Sequence, residues 1–346
     1  MSSEPLPSNR ATGAFERRVA RALRALAPPD ATFRATPLVV ACSGGADSTA
    51  ALVAVSRSRG PHDAPVVAAR FDHGLRPAEE EALDGDAVGS VAERLGRSVL
   101  HGSTANVVAP EPSTGSEAAS RVARYRWLAS ACVEAGATYC VTGHTLDDQA
   151  ETVLLRLTRG AGALGIASMA PDAPWPVPCG TEPLRLLRPL LRIRREEASA
   201  YLEALGLQPR LDSTNELLTF QRNRIRHRVL PELRAVNPLA EEALARFAAL
   251  ARRDDGALED WAEREAETLL RVHGDAAAIQ RRELLALPEA VSSRLLRRAA
   301  DTVGVALEGE QIEALLRIAR RRGARLSLAG GEAEVVEREL HIRRSR

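Results

Sequence analysis

Short apolar runs alternate with stretches of helical periodicity along the N-terminal half of the chain. Leu38-Val39-Val40-Ala41-Cys42 reads as a strand, and Thr49 to Ser56 behind it suits a helix. Val66 to Phe71 is the next apolar run, followed by the acidic helical stretch Ala78 to Leu95 and a short strand candidate, Ser98 to His101. Ser116 to Ala135 has apolar residues at Val122, Tyr125 and Leu128, which predicts a helix. A strand at Tyr139-Cys140-Val141-Thr142 and a helix from Leu146 to Arg159 come next. This alternation predicts an α/β fold: a doubly wound parallel sheet covered on both faces, with right-handed crossovers. Ligands of such sheets settle at the carboxyl ends of the strands, near the point where strand order reverses.

The pattern then changes. Pro171, Pro174, Pro176, Pro178 and Pro183 crowd the segment from Met169 to Leu190 and predict a loop, after which a helix from Arg194 to Leu205 completes the sheet domain. From Leu239 to Arg321 alanine, leucine, arginine and glutamate recur at helical spacing, so a helical domain is expected. Alternation in Arg325 to Leu328 and Glu334 to Arg343 around Gly330-Gly331 predicts a short C-terminal β-hairpin. The expected division is a helical lead-in over 1–32, the sheet domain over 33–215, the helical domain over 216–322 and the hairpin over 323–346.

Polar residues gather at two of the strand ends. Ser43-Gly44-Gly45-Ala46-Asp47-Ser48 joins the first strand to its helix. Two glycines let the backbone bend tightly and present bare N–H groups, and the first helical turn adds unsatisfied donors and a partial positive charge. Such a cradle binds phosphate. One helix terminus contributes only about 0.3–1 kcal/mol when exposed, so several donors must converge on a polyphosphate, and the two serine hydroxyls supply more. The plainer reading is a strand-to-helix turn with serine as cap and Asp47 as first-turn acid.

The second cluster, Gly143-His144-Thr145-Leu146-Asp147-Asp148-Gln149-Ala150-Glu151-Thr152, follows the strand at Tyr139. Asp148 and Glu151 are three apart, and Asp147 and Glu151 four apart, so on a helix these carboxylates can share a magnesium ion or a cationic substrate. Equally, Thr145 can be the N-cap of an ordinary helix with Asp148 closing a capping box. Two polar clusters, each at a strand's carboxyl end, one suited to phosphate and one to cations, together describe a metal–nucleotide site.

Composition narrows the chemistry. The 346 residues hold no lysine, so all 47 residues in the Lys+Arg count are arginine. A Walker-type phosphate loop, a kinase strand lysine and a Schiff-base enzyme each need the missing side chain. Net charge is +1, so a nucleic-acid partner must be met by a local arginine patch. Cys42, Cys132, Cys140 and Cys179 form no Cys-x-x-Cys pair, which argues against zinc, an iron–sulfur cluster or a disulfide framework. No apolar stretch reaches membrane length and no secretory signal opens the chain, so a cytoplasmic enzyme with no membrane partner is expected.

The hexapeptide resembles the pyrophosphate loop of the N-type ATP pyrophosphatases, and within them the chain is similar to the bacterial tRNA(Ile)-lysidine synthases. The resemblance runs through Asp72-His73-Gly74-Leu75-Arg76, Glu117-Ala118-Ala119-Ser120-Arg121 with Arg124-Tyr125, the His144 to Thr152 cluster, Arg159-Gly160-Ala161-Gly162 and Arg188-Pro189-Leu190-Leu191. It continues through Asp212-Ser213-Thr214-Asn215 and Arg222-Asn223-Arg224-Ile225-Arg226-His227 to Leu230-Pro231 and Asn237-Pro238. It implies ATP and Mg2+, a tRNA(Ile) with a CAU anticodon and free L-lysine. It further implies that the C2 oxygen of the wobble cytidine is adenylated and that lysine then displaces AMP.

By position, the resemblance gives Ser43, Gly44, Gly45, Ala46 and Ser48 to the nucleotide's pyrophosphate, and Asp47 with Glu151 to magnesium. Asp148 suits the lysine ammonium and His144 proton handling or substrate orientation. Arg124 becomes a phosphate partner or else a helix-surface ion pair; Asp72 and His73 lie where adenine or ribose would rest, unless they cap a turn. Arg222, Arg224, Arg226 and Arg228 are RNA contacts or else organise the domain junction. If all four met phosphates, the log–log salt slope of binding would be roughly −2.8.

The chain departs from the family in lacking the C-terminal extension of larger members and in having Leu211 before Asp212 where an acid is common. A homodimer is left open. The rival readings are another tRNA-modifying ATP pyrophosphatase, a thiolase, and a non-catalytic ATP-binding module.

Overall fold

Val39 and Val40 are fully buried on a strand with parallel neighbours on both sides, which is why the first apolar run does not alternate with polar residues. The computed structural model describes residues 6–26, 32–74, 78–104, 117–180, 183–208 and 221–345. The Leu75-Arg76 end of one motif and the whole of Asp212-Ser213-Thr214-Asn215 lie outside the described residues. Contacts divide the chain into two units, Met1–Ala248 and Ala249–Arg346.

In the first unit α1 (Arg10–Leu26) and α2 (Thr32–Ala35) precede β1 (Leu38–Ala41), α3 (Ala46–Ser58), β2 (Val66–Asp72), α4 (Ala78–Arg94), β3 (Val99–Ser103), α5 (Glu117–Glu134), β4 (Tyr139–Thr142) and α6 (Leu146–Leu157). After α7 (Ala163–Ile166) come β5 (Asp172–Pro174), β6 (Arg185–Leu187) and α8 (Arg195–Ala204). The strands form one sheet in the order β3-β2-β1-β4-β6-β5, parallel except for β5. The proline-rich segment, expected as a loop, therefore supplies two short strands; β6 extends the sheet beside β4.

Residues of the sheet alternate between two cores. Leu38, Val40, Ala68, Val141 and Leu187 pack with α1, α3 and α8, where Phe15 and Tyr201 stack at 4.2 Å. Val39, Ala69, Cys140 and Leu186 face the other way, onto Tyr125, Leu128 and Cys132 of α5. Because β1 is flanked by β2 on one side and β4 on the other, strand order reverses between β1 and β4. The two polar clusters of the sequence follow those two strands.

The unit continues through a short helix α9 (Gln221–Arg224), a π-helical turn (Ile225–Val229), α10 (Leu230–Val236) and the start of α11 (Ala240–Leu269). Ile225 and Leu230 bury against Ala150, which seats this segment on α6.

The second unit holds the rest of α11, then β7 (Leu270–His273), β8 (Ala276–Gln280), α12 (Arg281–Ala286), α13 (Glu289–Thr302), α14 (Gly309–Ile318), β9 (Arg325–Leu328), β10 (Gly331–Val336) and β11 (Glu339–Arg344). The helical region and the C-terminal strands are present, but the strands are more numerous than expected. They form a five-stranded antiparallel sheet, β7-β8-β11-β10-β9, over a core of Leu295, Leu296, Ile312, Leu315, Leu340 and Ile342. Hairpin β7–β8 lies inside the stretch expected to be helical throughout. Its alanines favour helix by propensity, yet pairing with β11 and the turn at Gly274 (φ 60°) decide otherwise. Among the described residues no helix is long and apolar enough to cross a membrane.

Candidate active site

The chain leaves β1 into the glycine loop. Gly44 has φ 92°, a conformation that favours glycine, and Gly45 is the N-cap of α3 without a side-chain cap, so the first-turn N–H groups keep no internal acceptor from that residue. The loop is braced by its serines. Ser43 N donates to Ser48 Oγ at 3.1 Å, the two hydroxyls lie 3.1 Å apart, and Ser48 Oγ donates to the Gly45 carbonyl at 3.0 Å.

The acidic cluster opens α6 just beyond β4. Asp148 divides its two oxygens between the helix cap and two guanidinium groups. Its Oδ2 accepts from Thr145 N at 2.8 Å and Thr145 Oγ1 at 3.0 Å, closing the capping box. Its Oδ1 accepts from Arg195 Nη2 at 2.8 Å and Arg222 Nη2 at 2.9 Å. Glu151, wholly buried, accepts from Arg222 Nε at 2.5 Å, Arg226 Nε at 2.7 Å and Arg195 Nη1 at 3.3 Å. Asp147 Oδ2 accepts from the backbone N of Arg195 at 2.8 Å, and its Oδ1 from Arg234 Nη2 at 3.2 Å.

Arg195 also ties this cluster to the loop, since its Nε donates to Asp47 Oδ2 at 2.9 Å. Asp47 Oδ1 is buried with no hydrogen-bond partner. Burial pushes the Asp47 carboxyl up to about 6, against the pull of Arg195. For Asp148 burial acts in the same sense but loses: Arg195 and Arg222 bring it down to about 2. Glu151 is likewise held below its usual range, desolvation being outweighed by Arg226 and Arg222. Desolvation dominates at His144, lowering it to about 3 against Asp148, so its ring is neutral at pH 7. Its Nδ1 lies 2.8 Å from Thr142 Oγ1.

Comparison with known proteins accords with this geometry. A model described as a PP-loop domain matches residues 14–233. A tRNA(Ile)-lysidine synthase of Salinispora arenicola is 41% identical over 253 residues, 69% of this chain and 73% of the relative. One from a Bradyrhizobium strain is 38% identical over 314 residues, 86% of this chain and 83% of its own length. The chain belongs to the tRNA(Ile)-lysidine synthase family. Among solved structures, the U34-tRNA thiolase NcsA of Methanococcus maripaludis superposes with a TM-score of 0.54 at 18% identity, over 69% of this chain and 80% of the thiolase; that likeness is one of fold.

For a lysidine synthase-family chain the site's members are distributed unevenly. Ser43, Gly44, Gly45, Ala46, Asp47 and Ser48 are brought to Asp148 and Glu151 by the β1–β4 pairing. Arg124, on α5, has a buried Nε with no hydrogen-bond partner and a guanidinium 5.0 Å from the Tyr125 ring centroid. Asp72 caps a turn, its Oδ1 accepting from Gly74 N at 2.7 Å, and the His73 ring meets Phe71 edge-on at 5.0 Å.

The arginine run divides by facing. Arg222 and Arg226 turn inward onto Glu151, whereas Arg224 and Arg228 are exposed. Inward pairing with Glu151 was not among the alternatives the sequence offered. Arg195 and Arg234 were missed outright; Arg195 opens a helix beside Glu196 and Glu197, where it reads as a surface charge, and no local signal marks it.

Magnesium needs near-octahedral oxygen ligands and is commonly held by one or two carboxylates plus substrate phosphates. Among the described residues no group of three or more His, Cys, Asp or Glu side chains is arranged to hold a metal. Asp47 fits the smaller requirement through its buried Oδ1, an acceptor without a donor, whereas Glu151 would have to exchange a guanidinium for the ion, since both its oxygens already accept from arginine.

Proposed function

We propose that this protein uses ATP to join free lysine to C2 of the wobble cytidine of a tRNA(Ile) with a CAU anticodon, working in the cytoplasm. The supporting observation is the meeting of the Ser43–Ser48 loop and the Asp147–Glu151 cluster across adjacent strands β1 and β4, in a chain of this family. The cytidine O2 attacks the α-phosphorus of ATP and pyrophosphate leaves; the lysine amine then attacks C2 and AMP departs.

Backbone N–H groups of Gly44 and Gly45, the first turn of α3 and the hydroxyls of Ser43 and Ser48 hold the departing pyrophosphate without help from any lysine side chain. Asp47 and Glu151 would hold Mg2+, which when bound neutralises charge developing on the phosphates. Asp148 Oδ1 receives the substrate ammonium while Oδ2 keeps the helix start fixed. Neutral His144, its Nδ1 beside Thr142 Oγ1, orients the lysine amine toward C2. Arg124 offers a guanidinium to the α-phosphate or AMP. Arg224 and Arg228 meet RNA phosphates.

The thiolase alternative needs cysteines able to carry sulfur or a cluster, and with Cys42, Cys132 and Cys140 buried in the core a single half-buried cysteine, Cys179, is left for that work. Pyrophosphate release with ATP and Mg2+ tests the reading. Release should require both a CAU-anticodon tRNA and no sulfur donor; release without tRNA, or only with a sulfur donor, contradicts it.

A further inference from the structure

The acidic cluster is already neutralised by its own chain. Asp47, Asp147, Asp148 and Glu151 face Arg195, Arg222, Arg226 and Arg234. Incoming cations cannot simply be added, because an uncompensated charge in a buried site is costly; a guanidinium has to give way.

Of the four arginines, Arg195 alone bridges the loop and the acidic helix, donating to Asp47 Oδ2 at 2.9 Å, Asp148 Oδ1 at 2.8 Å and Glu151 Oε1 at 3.3 Å. Arg222 and Arg226 donate to Asp148 and Glu151 on α6, and Arg234 donates to Asp147 and Glu241. The backbone of Arg195 is held separately by Asp147 Oδ2, so its side chain can leave while the start of α8 stays in place. A cleft of about 440 Å3, lined by Arg195, Glu196, Ser199 and Arg226, lies beside it and gives the side chain room.

We infer that Arg195 is a displaceable internal counter-ion that couples metal binding at Asp47 to ammonium binding at Asp148. A cation arriving at either carboxylate must dislodge the same guanidinium. Once it has moved, the second cation meets a vacated carboxylate, so the free energy of displacement is spent once and each ligand tightens the other. The coupling rests on the lysine-dependent reading above; the counter-ion role does not. Arg195 is thus a positioning residue that ties the glycine loop to the acidic helix and times the arrival of the cations.

The test is Mn2+ binding, followed by electron paramagnetic resonance, to the full chain without nucleotide, with and without L-lysine. In the wild type lysine should tighten Mn2+ binding about fivefold or more, within the usual range of coupling between sites. Arg195→Gln should bind Mn2+ about tenfold more tightly without lysine, and lysine should add nothing further. Arg195→Lys, whose one ammonium cannot span three carboxylates, should fall between, and decides the matter alone if circular dichroism shows the glutamine variant unfolded. A merely structural role predicts weaker Mn2+ binding in the variants. Unchanged or weaker binding in a folded variant overturns the inference. If the variants gain Mn2+ affinity while lysine affects no protein, the counter-ion stands and the lysine-dependent function falls.

Discussion

A Cβ atom placed on Gly143 would lie 2.6 Å from the carbonyl oxygen of Asp47. It would also come within 2.7 Å of the Asp47 carbonyl carbon and 2.8 Å of Ser48 Cα. The end of β4 therefore touches the backbone of the glycine loop directly, and the gap between the two polar clusters is set at this one position. Gly143→Ala must push the loop away from α6. Overpacking of this kind costs about 1–3 kcal/mol. Urea unfolding should show a loss of that order, and calorimetry should show weakened ATP binding. Full nucleotide affinity in the alanine variant would mean that the loop is positioned by something else.

Glu151 is the acid on which three guanidinium groups converge, and it has no access to solvent. Glu151→Gln keeps the shape and removes the charge, leaving Arg222 and Arg226 facing a neutral amide. Breaking a buried ion pair on one side costs about 3–5 kcal/mol, and retained amide hydrogen bonds place this variant at the lower end. Chemical denaturation of the ligand-free protein measures it. A variant as stable as the wild type would show that the arginine cluster holds itself by other means.

Stability should depend on pH in two opposing ways. Asp47 titrates near 6 folded against 3.8 as a free side chain, so the native state binds the extra proton between those values, and stability falls as pH rises from about 4 to 6. His144, depressed to about 3 from 6.5, works oppositely: the unfolded chain takes the proton, and stability rises over that range. Asp148, near 2 folded, contributes stability above about 4 that is lost as pH falls toward 2. Asp47→Asn removes the first effect alone. Urea midpoints of variant and wild type should therefore diverge from pH 4 to 7, the variant gaining in relative stability; parallel curves would contradict the burial assigned to Asp47.

Much of this was legible in the sequence because it is local. The apolar run Leu38 to Cys42, the glycine pair and the helix behind them fix a strand, a turn and a helix start within twenty residues, and the Thr145–Asp148 box is a spacing of three. What was not legible depends on contacts far apart in sequence. Arg195 stands 148 residues from Asp47, and only the sheet order brings them together. Arg222 and Arg226 are four apart and so share a helical face, but which face meets Glu151 is decided by the burial of Ile225 and Leu230 against Ala150. Strands β7 and β8 were hidden because Ala276-Ala277-Ala278 carries the propensity of a helix while its partner, β11, lies more than sixty residues on.

Arg224 and Arg228 separate the structural arginines from the free ones. If each meets one phosphate, replacing both by alanine should make the log–log salt slope of tRNA binding shallower by roughly 1.4 on the single-strand coefficient. Filter binding across a salt series reads the slope directly. Since both side chains are exposed, thermal stability should stay within about 0.5 kcal/mol, as for surface substitutions generally. An unchanged slope would remove both residues from the RNA surface.

On the proposed function, the paired clusters adenylate O2 of the wobble cytidine so that lysine can attack C2 and displace AMP. The most direct measurement supplies the protein with ATP, Mg2+, radiolabelled L-lysine and an unmodified tRNA(Ile) transcript carrying CAU, and follows label into RNA. Lysine should become bound covalently at the wobble cytidine, with AMP and pyrophosphate released in equal amount and nothing incorporated into a transcript whose wobble base is uridine. RNA that stays unlabelled while the protein is folded and binds ATP would contradict that function.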